Sequence, residues 1–396
     1  MSGQSNEAKK IVKEIIEDLK RGKKVAEVKE RFKQVLSKVD RGDITIIEDA
    51  LVKEGVPIED VKRLCEVHVA VSREISDERP MVGPGHPIFI LLEEHKYVKD
   101  VADEISRLLP SLLKENEVEE TVRRLREIVE HLKEYNKHKV REENALFPMI
   151  EKHGVTQPPA VMWSEHDQQR ALIKEIAALL NQNDVSSLDT QKLASALRSI
   201  SEMVMAHFYK EENILFPTAL KLINETEWKQ IKESMDDLGY CYFTPSQAIG
   251  TVEGAVAVRE VKGAEITLET GTLTLEQLEA IFAHLPIDIT FVDDKDSVRF
   301  FNQTRERIFP RTKAIIGRKV QKCHPQKSVE IVERILNDFR AGARDSAKFW
   351  IHLGDRYVLI QYFAVRGKDN RYLGCLEVTQ DIAPIKKIEG EKRLLD

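Results

Sequence analysis

At 396 residues the chain is too long for one ordinary core, and its 42% hydrophobic and 32% charged content describes a globular protein with well-solvated helices rather than a disordered or fibrous one. A net charge of −6, with Lys and Arg interleaved with Glu along helical segments, leaves no basic face for nucleic acid. Four separated cysteines (Cys65, Cys241, Cys323, Cys375) exclude a zinc ribbon and a secreted disulfide framework, and the lack of any long apolar run or apolar leader predicts a cytoplasmic chain with reduced thiols and no membrane contact.

Two or three domains are therefore expected. From residue 8 to about 78 the pattern reads as short amphipathic helices, with Ile11, Ile15, Ile16 and Leu19 on one face and breaks at Arg21-Gly22, Arg41-Gly42-Asp43 and Gly55-Val56-Pro57. Residues 1–78 thus form a small helical domain. A Pro/Gly linker follows over 77–85, and Pro87 suits the first turn of the next helix. Four long helical patterns then cover roughly 87–109, 117–150, 160–181 and 188–223, the signature of an antiparallel four-helix bundle across 84–225. Alternating stretches at Val256–Val261 and Ile266–Thr270 predict a β-containing connector over 226–272. Over 273–385 the order is a helix (Leu275–Leu285), two β runs around an Asp-rich turn (Ile287–Phe301), a helix (Lys327–Arg340) and three β runs, which describes a small antiparallel sheet flanked by helices. The fold class is multidomain: mainly α, then α+β.

The strongest signal is a duplication inside the bundle. His138-Lys-Val-Arg-Glu142-Glu-Asn-Ala-Leu-Phe-Pro148 is echoed by His207-Phe-Tyr-Lys-Glu211-Glu-Asn-Ile-Leu-Phe-Pro217, identical at 7 of 11 positions. A Glu-His pair precedes each copy: Glu94-His95, 43 residues before His138, and Glu165-His166, 41 residues before His207. The chain has written "helix with His, helix with His-x-x-x-Glu" twice.

Residues four apart on an α-helix share a face, so each His-x-x-x-Glu is a chelating edge. The histidines also fall on the stripe that should face the bundle core, with Ile88, Leu91, Leu92 and Val98 around His95, and Ile200, Val204 and Leu215 around His207 and Glu211. An ionised carboxylate there needs a partner or a metal. A single His-x-x-x-Glu is common on solvated helices and means nothing by itself; two copies in matched context do. Four imidazoles and two carboxylates suit two transition-metal ions with open coordination positions for small molecules such as O2, NO, peroxide or water. Two further histidines compete. His131 is on the face of His138 but about 10 Å along the axis, which suits a supporting role better than ligation. His86, in Gly-His-Pro, is out of phase with His95 and suits a helix cap, although a fold-back onto the site would also place it there. His68 and His153 lie outside the stripe, and Cys65 with His68 makes only half of a metal site.

With these motifs on the page, residues 84–225 resemble the hemerythrin-like, His-His-Glu cation-binding family. The resemblance implies a non-haem di-iron centre on His95, His138, Glu142, His166, His207 and Glu211. Oxygen-carrying hemerythrins show a fifth histidine, and no His-x-x-x-His lies beside His166, which argues against simple O2 carriage. Residues 1–78 resemble an uncharacterised helical domain found ahead of such bundles. The C-terminal region resembles a PAS domain, through Asp293-Asp294, Phe300-Phe301-Asn302, Ile316-Gly317 and the closing Leu373–Asp381 run. Such domains bind small ligands inside the sheet or mediate a homodimer, and the resemblance leaves both roles open. Cys323-His324-Pro325 offers a haem axial ligand, His324 with Cys323 beside it, against the plainer reading of a helix-entry turn. No kinase, cyclase or DNA-binding motif follows. The functional expectation is a sensor of oxygen, NO or redox state, non-enzymatic, acting on an unknown protein partner. The alternatives are a di-iron enzyme reducing NO or peroxide, and an iron-handling protein for iron–sulfur repair or storage.

Overall fold

The computed structural model describes residues 3–36, 39, 41–57, 60–61, 63–64, 67–68, 71, 82–114, 116–182, 187–249, 265–304 and 307–391. The chain divides into two compact units, Met1–Val252 and Glu253–Asp396. Among the described residues no helix is long and apolar enough to cross a membrane.

The first unit begins with α1 (Gly3–Lys20), α2 (Val25–Leu36) and α3 (Arg41–Lys53), whose apolar stripes meet around Ile15, Ile16, Phe32, Ile44 and Ile47 and against Val61 and Leu64. Arg41-Gly42-Asp43 does not break a helix; it opens α3. A Cβ on Gly42 would stand 3.2 Å from the Pro217 carbonyl oxygen and from Thr218 Cα, so the glycine lets α3 lie against the backbone after the second His-x-x-x-Glu copy. Asp49 of α3 also accepts hydrogen bonds from the backbone N–H groups of Thr156 (2.7 Å) and Gln157 (3.1 Å), capping the helix that carries His166. Cys65 and part of the Pro/Gly linker lie outside the described residues. His68 is buried beside Glu48, at 3.5 Å.

The bundle comprises α4 (Pro87–Leu112), α5 (Val118–Glu134), α6 (Asn136–Arg141), α7 (Phe147–Lys152), α8 (Gln157–Leu180), α9 (Thr190–Lys210) and α10 (Phe216–Leu222). Leu125, Ile128, Leu132, Ile176, Leu197, Ile200 and Val204 fill its core on the 3.6-residue spacing. Two departures from regular helix matter. The expected helix over 117–150 is interrupted at Tyr135, and both copies of Glu-Glu-Asn-x-Leu form a single π-helical turn, Glu142–Leu146 and Glu211–Leu215. The Phe147 N–H bonds back five residues to Glu142, and Phe216 does the same to Glu211. Each π turn buries two consecutive glutamates.

The expected β-containing connector from 226 is corrected at its start. Residues Glu225–Leu238 form α11, opened by a capping box between Asn224 and Glu227 and held by Trp228, Ile231 and Met235 on one buried face. The chain then folds back along the bundle: Gly239 O accepts from Arg141, the Tyr242 N–H donates to Glu134, and Gly85 N–H donates to Ala248 O. The Val256–Val261 run lies outside the described residues.

The second unit has a hairpin, β1 (Glu265–Leu268) with β2 (Gly271–Thr274), then α12 (Leu275–His284), β3 (Asp288–Asp293), β4 (Val298–Phe301), α13 (Gln326–Ala341), β5 (Ser346–Leu353), β6 (Arg356–Arg366) and β7 (Tyr372–Asp381). The five-stranded antiparallel sheet has order β4-β3-β7-β6-β5. Leu336 and Phe339 of α13 pack on Val292, Val298 and Cys375 of the sheet. Gly374 is required in mid-sheet, because a Cβ there would stand 2.1 Å from Val292 O.

Candidate metal centre

Four helices bring six side chains to one buried point. His95 comes from α4, His138 from α6, His166 from α8 and His207 from α9, while Glu142 and Glu211 are the first residues of the two π turns. All six are fully buried. They form two groups, Glu142, His166, His207 and Glu211, and then His95, His138 and Glu211, with donor atoms in each group within 4.8 Å of one another. Glu211 belongs to both. Its Oε2 is 2.5 Å from His95 Nε2 and its Oε1 is 2.6 Å from His207 Nε2, whereas Glu142 Oε2 is 3.3 Å from His166 Nε2 and 3.7 Å from His138 Nε2.

The inward atoms are the ones protein contacts leave over. Nε2 of His95 and His138 and both oxygens of Glu142 and of Glu211 have no hydrogen bond of good geometry, and Nε2 of His166 faces Nε2 of His207 at 2.9 Å. Buried polar atoms in this state cost roughly 1–3 kcal/mol each. An imidazole and carboxylate donor set turned inward, with its lone pairs converging, fits a pair of transition-metal ions.

The outward atoms are tied down in a two-fold pattern. Nδ1–H of His138 donates to Glu94 (2.8 Å) and that of His207 to Glu165 (2.7 Å), each glutamate being the one before the histidine of the same half. Nδ1–H of His166 donates to Glu143 (2.8 Å) and that of His95 to Glu212 (2.9 Å), the second glutamates of the π turns. These carboxylates meet cations at matching repeat positions: Arg141 on Glu94, Lys210 on Glu165, Arg170 on Glu143 (2.6 Å) and Lys99 on Glu212 (2.6 Å). The arrangement fixes each ring's tautomer and aims Nε2 inward. Sequence reasoning noted Glu94 and Glu165 only as neighbours of His95 and His166 and gave none of the four glutamates this orienting role, although each adjoins a candidate ligand.

Electrostatics follow the contacts. Burial alone would raise Glu94 and Glu212, but Arg141 and His138, and His95 and Lys99, hold them at about 2. For Glu143 burial wins over Arg170 and the carboxyl is raised. Glu142 and Glu211 face each other and cannot both stay ionised without a cation: burial and the charge of Glu211 push Glu142 well up, while Glu211, despite burial, is held well down by His207 and His95. Glu211 and Glu165 together raise His207 to about 9 against burial.

Three expected candidates stand elsewhere. His131 Nδ1 meets the hydroxyls of Tyr97 (2.9 Å) and Tyr242, outside both donor groups. His86 is the N-cap of α4, its Nδ1 accepting from Ile88 N–H at 3.2 Å and its ring tilted against Trp228. His324 donates Nδ1–H to Val320 O (2.8 Å) and, with Cys323, Arg311, Tyr362 and Glu377, lines a cavity of about 30 Å³ in the second unit. That space holds about one water, and His324 and Cys323 stand in the turn that enters α13. His153 pairs with Glu227 at 2.7 Å.

Residues 86–219 match the family model described as hemerythrin HHE cation binding domain. The chain carries a hemerythrin-like domain. Residues 12–77 match a family of unknown function (DUF438), and residues 278–383 match a PAS domain, so the hemerythrin-like bundle stands between a helical domain of unknown function and a PAS domain. Curated relatives include proteins named iron-sulfur cluster repair protein YtfE from Yersinia pseudotuberculosis and Yersinia pestis, 31% identical over 96 residues, 23% of this chain. The chain spans 43% of the length of these relatives. Among solved structures, a C-terminal domain from Streptococcus mutans is 32% identical, covering 32% of this chain and 98% of that one, with a TM-score of 0.31. A PAS domain from Colwellia psychrerythraea is 16% identical, covering 28% of this chain and 98% of that one, with a TM-score of 0.23.

Proposed function

We propose that the hemerythrin-like domain holds a non-haem di-iron centre on His95, His138, Glu142, His166, His207 and Glu211, and that the chain is a cytoplasmic sensor of oxygen, NO or redox state. Bound iron supplies open coordination positions for a diatomic ligand and a redox couple. The protein's part is to hold four Nε2 atoms and two carboxylates inward, exclude water, and fix each imidazole through a glutamate and a cation.

The observation that carries the sensing reading is the contact of Thr244 with Glu94, the carboxylate that orients His138. Arg141 joins the same carboxylate to the Gly239 carbonyl. Any change in the charge or position of His138 therefore reaches the segment 239–249, which runs on along the chain towards the PAS domain. The PAS domain that follows in the chain supports output through a protein partner or through a PAS homodimer, by fold analogy.

A second reading, a di-iron enzyme or an iron-handling protein, draws support from the relatives named for iron–sulfur cluster repair, whose likeness covers 96 residues, 23% of this chain. The deciding experiment is metal analysis with optical spectra of anaerobically purified full-length chain, before and after air and NO. About two irons per chain, a spectral change on NO, and altered amide exchange in 239–249 without turnover support the sensor. Catalytic loss of NO or peroxide in the presence of a reductant supports the enzyme. Metal-free or zinc-only protein refutes the di-iron centre.

A further inference from the structure

The metal centre lies between the two halves of the bundle, and one helix from outside the repeat touches both halves. Helix α3 of the N-terminal domain turns Ile44, Ile47 and Leu51 into that domain's own core and sets Gly42, Asp43, Asp49 and Lys53 against the bundle. The end of α3 holds the corner between α7 and α8. There Asp49, buried, accepts from the N–H groups of Thr156 (2.7 Å) and Gln157 (3.1 Å), and Lys53 donates to the Gly154 carbonyl. The start of α3 holds α10, with Gly42 against Pro217 and Thr218, and Asp43 paired with Lys221 at 2.6 Å.

Both holds lie close behind candidate ligands. Helix α7 continues directly from the π turn of Glu142, and its first residue, Phe147, stacks on His166 with ring centroids 5.8 Å apart. Helix α10 continues from the π turn of Glu211, and its first residue, Phe216, stacks on His95 at 5.7 Å. Thr218, beside Gly42, returns its hydroxyl to the Ile214 carbonyl inside that turn (2.6 Å). Helix α3 is therefore a crossbar between the backbone that leaves Glu142 and the backbone that leaves Glu211. Glu211 reaches His95 of the first half and His207 of the second, so the donor set depends on the spacing of the halves.

We propose that α3 fixes this spacing and so couples the docking of the N-terminal domain to metal retention, with Asp49 and Gly42 as positioning residues. The proposal rests on the di-iron reading of the bundle. It involves backbone position alone: the clamp tightens the ligands, and bound metal, by linkage, tightens the clamp.

The test loads full-length chain with ferrous iron under argon and follows iron release to an excess of chelator. Asp49→Ala is expected to reach wild-type iron content and to release the iron roughly 2- to 10-fold faster, while Asp49→Asn, whose amide oxygen still accepts from both N–H groups, releases at the wild-type rate. Gly42→Ala pushes on α10 from the other end of α3; it also releases faster, and it decides the matter if Asp49→Ala fails to fold. In the wild type, iron loading slows amide exchange in 44–53 relative to the metal-free chain. Wild-type release rates in both Asp49→Ala and Gly42→Ala overturn the proposal, as does exchange in 44–53 that is indifferent to iron. Faster release accompanied by faster exchange throughout α4, α5, α8 and α9 assigns α3 to general stability and also overturns it. A wild-type chain that takes up no metal refutes the di-iron reading itself, and this inference with it.

Discussion

Thr244 donates its hydroxyl to Glu94, and Glu94 in turn accepts from Nδ1 of His138 and from Arg141. One buried carboxylate therefore joins a candidate ligand to the segment that leaves the bundle. Thr244→Val keeps the shape of the side chain and removes the donor. It should leave metal content unchanged, because Arg141 still neutralises Glu94, while segment 239–249 loses about 1 kcal/mol of local stability. Hydrogen exchange of the amides of 240–249 checks this: faster exchange confined to that segment is expected, and unchanged exchange would show that the contact transmits nothing.

Among the described residues Glu211 is the only carboxylate shared by both donor groups, so the two glutamates of the repeat should not be equivalent. On the proposed di-iron reading, Glu211→Ala should abolish binding of both metals. Glu142→Ala should leave His95, His138 and Glu211 able to hold one. Metal per chain by elemental analysis distinguishes the two: roughly zero against roughly one. Equal losses would mean that Glu142 bridges as fully as Glu211 does.

The glutamates behind the histidines should matter nearly as much as the ligands. Glu212→Gln removes the charge facing Nδ1 of His95 and Lys99, and Glu165→Gln does the same for His207 and Lys210. Each should weaken metal binding by about 10- to 100-fold without unfolding the chain. Competition with a chelator of known affinity measures this, and wild-type retention in both variants would reduce these contacts to packing.

Much of the centre was legible because the chain states it twice. The spacing His138-x-x-x-Glu142 and its echo at His207 and Glu211 needs no structure to be read as one face of two helices. What the spacing did not disclose is the π turn at each glutamate, since a pattern of period 3.6 predicts continuous helix through Glu142 and Glu211. With the extra residue, neighbouring glutamates meet opposite nitrogens of one imidazole: Glu143 accepts from Nδ1 of His166, while Glu142 stays inward on its Nε2 side. The burial of Lys139 was equally hidden, because a lysine amid charged residues on a helix reads as solvated. Helix α11 was missed for another reason. Its stripe of Trp228, Ile231 and Met235 is short and lies in a strongly polar stretch, so only the pairing of Asn224 with Glu227 announces it. The C-terminal sheet was legible in element order because its runs are rich in β-branched and aromatic residues and are separated by turn residues.

Glu227 gives a pH dependence whose sign can be worked out. Besides closing the capping box of α11, it accepts from Lys152 (2.9 Å) and His153 (2.7 Å) at the end of α7, tying the two helices together. Burial would raise its carboxyl, but Lys152, His153 and the Asn224 N–H outweigh that and hold it at about 2 instead of 4.5. A carboxylate depressed on folding stabilises the protein above its unfolded value, and the contribution fades as pH falls from about 4.5 through about 2. Lys152 is largely exposed, so water screens part of the attraction, and about 1–2 kcal/mol at neutral pH is the expected size. Glu227→Gln keeps the cap, since glutamine serves at that position too, and isolates the charge. Urea unfolding of wild type and variant should differ by that amount at pH 7 and converge as the pH approaches about 2. A difference that persists unchanged into acid would mean that packing of the side chain, and not its charge, joins α7 to α11.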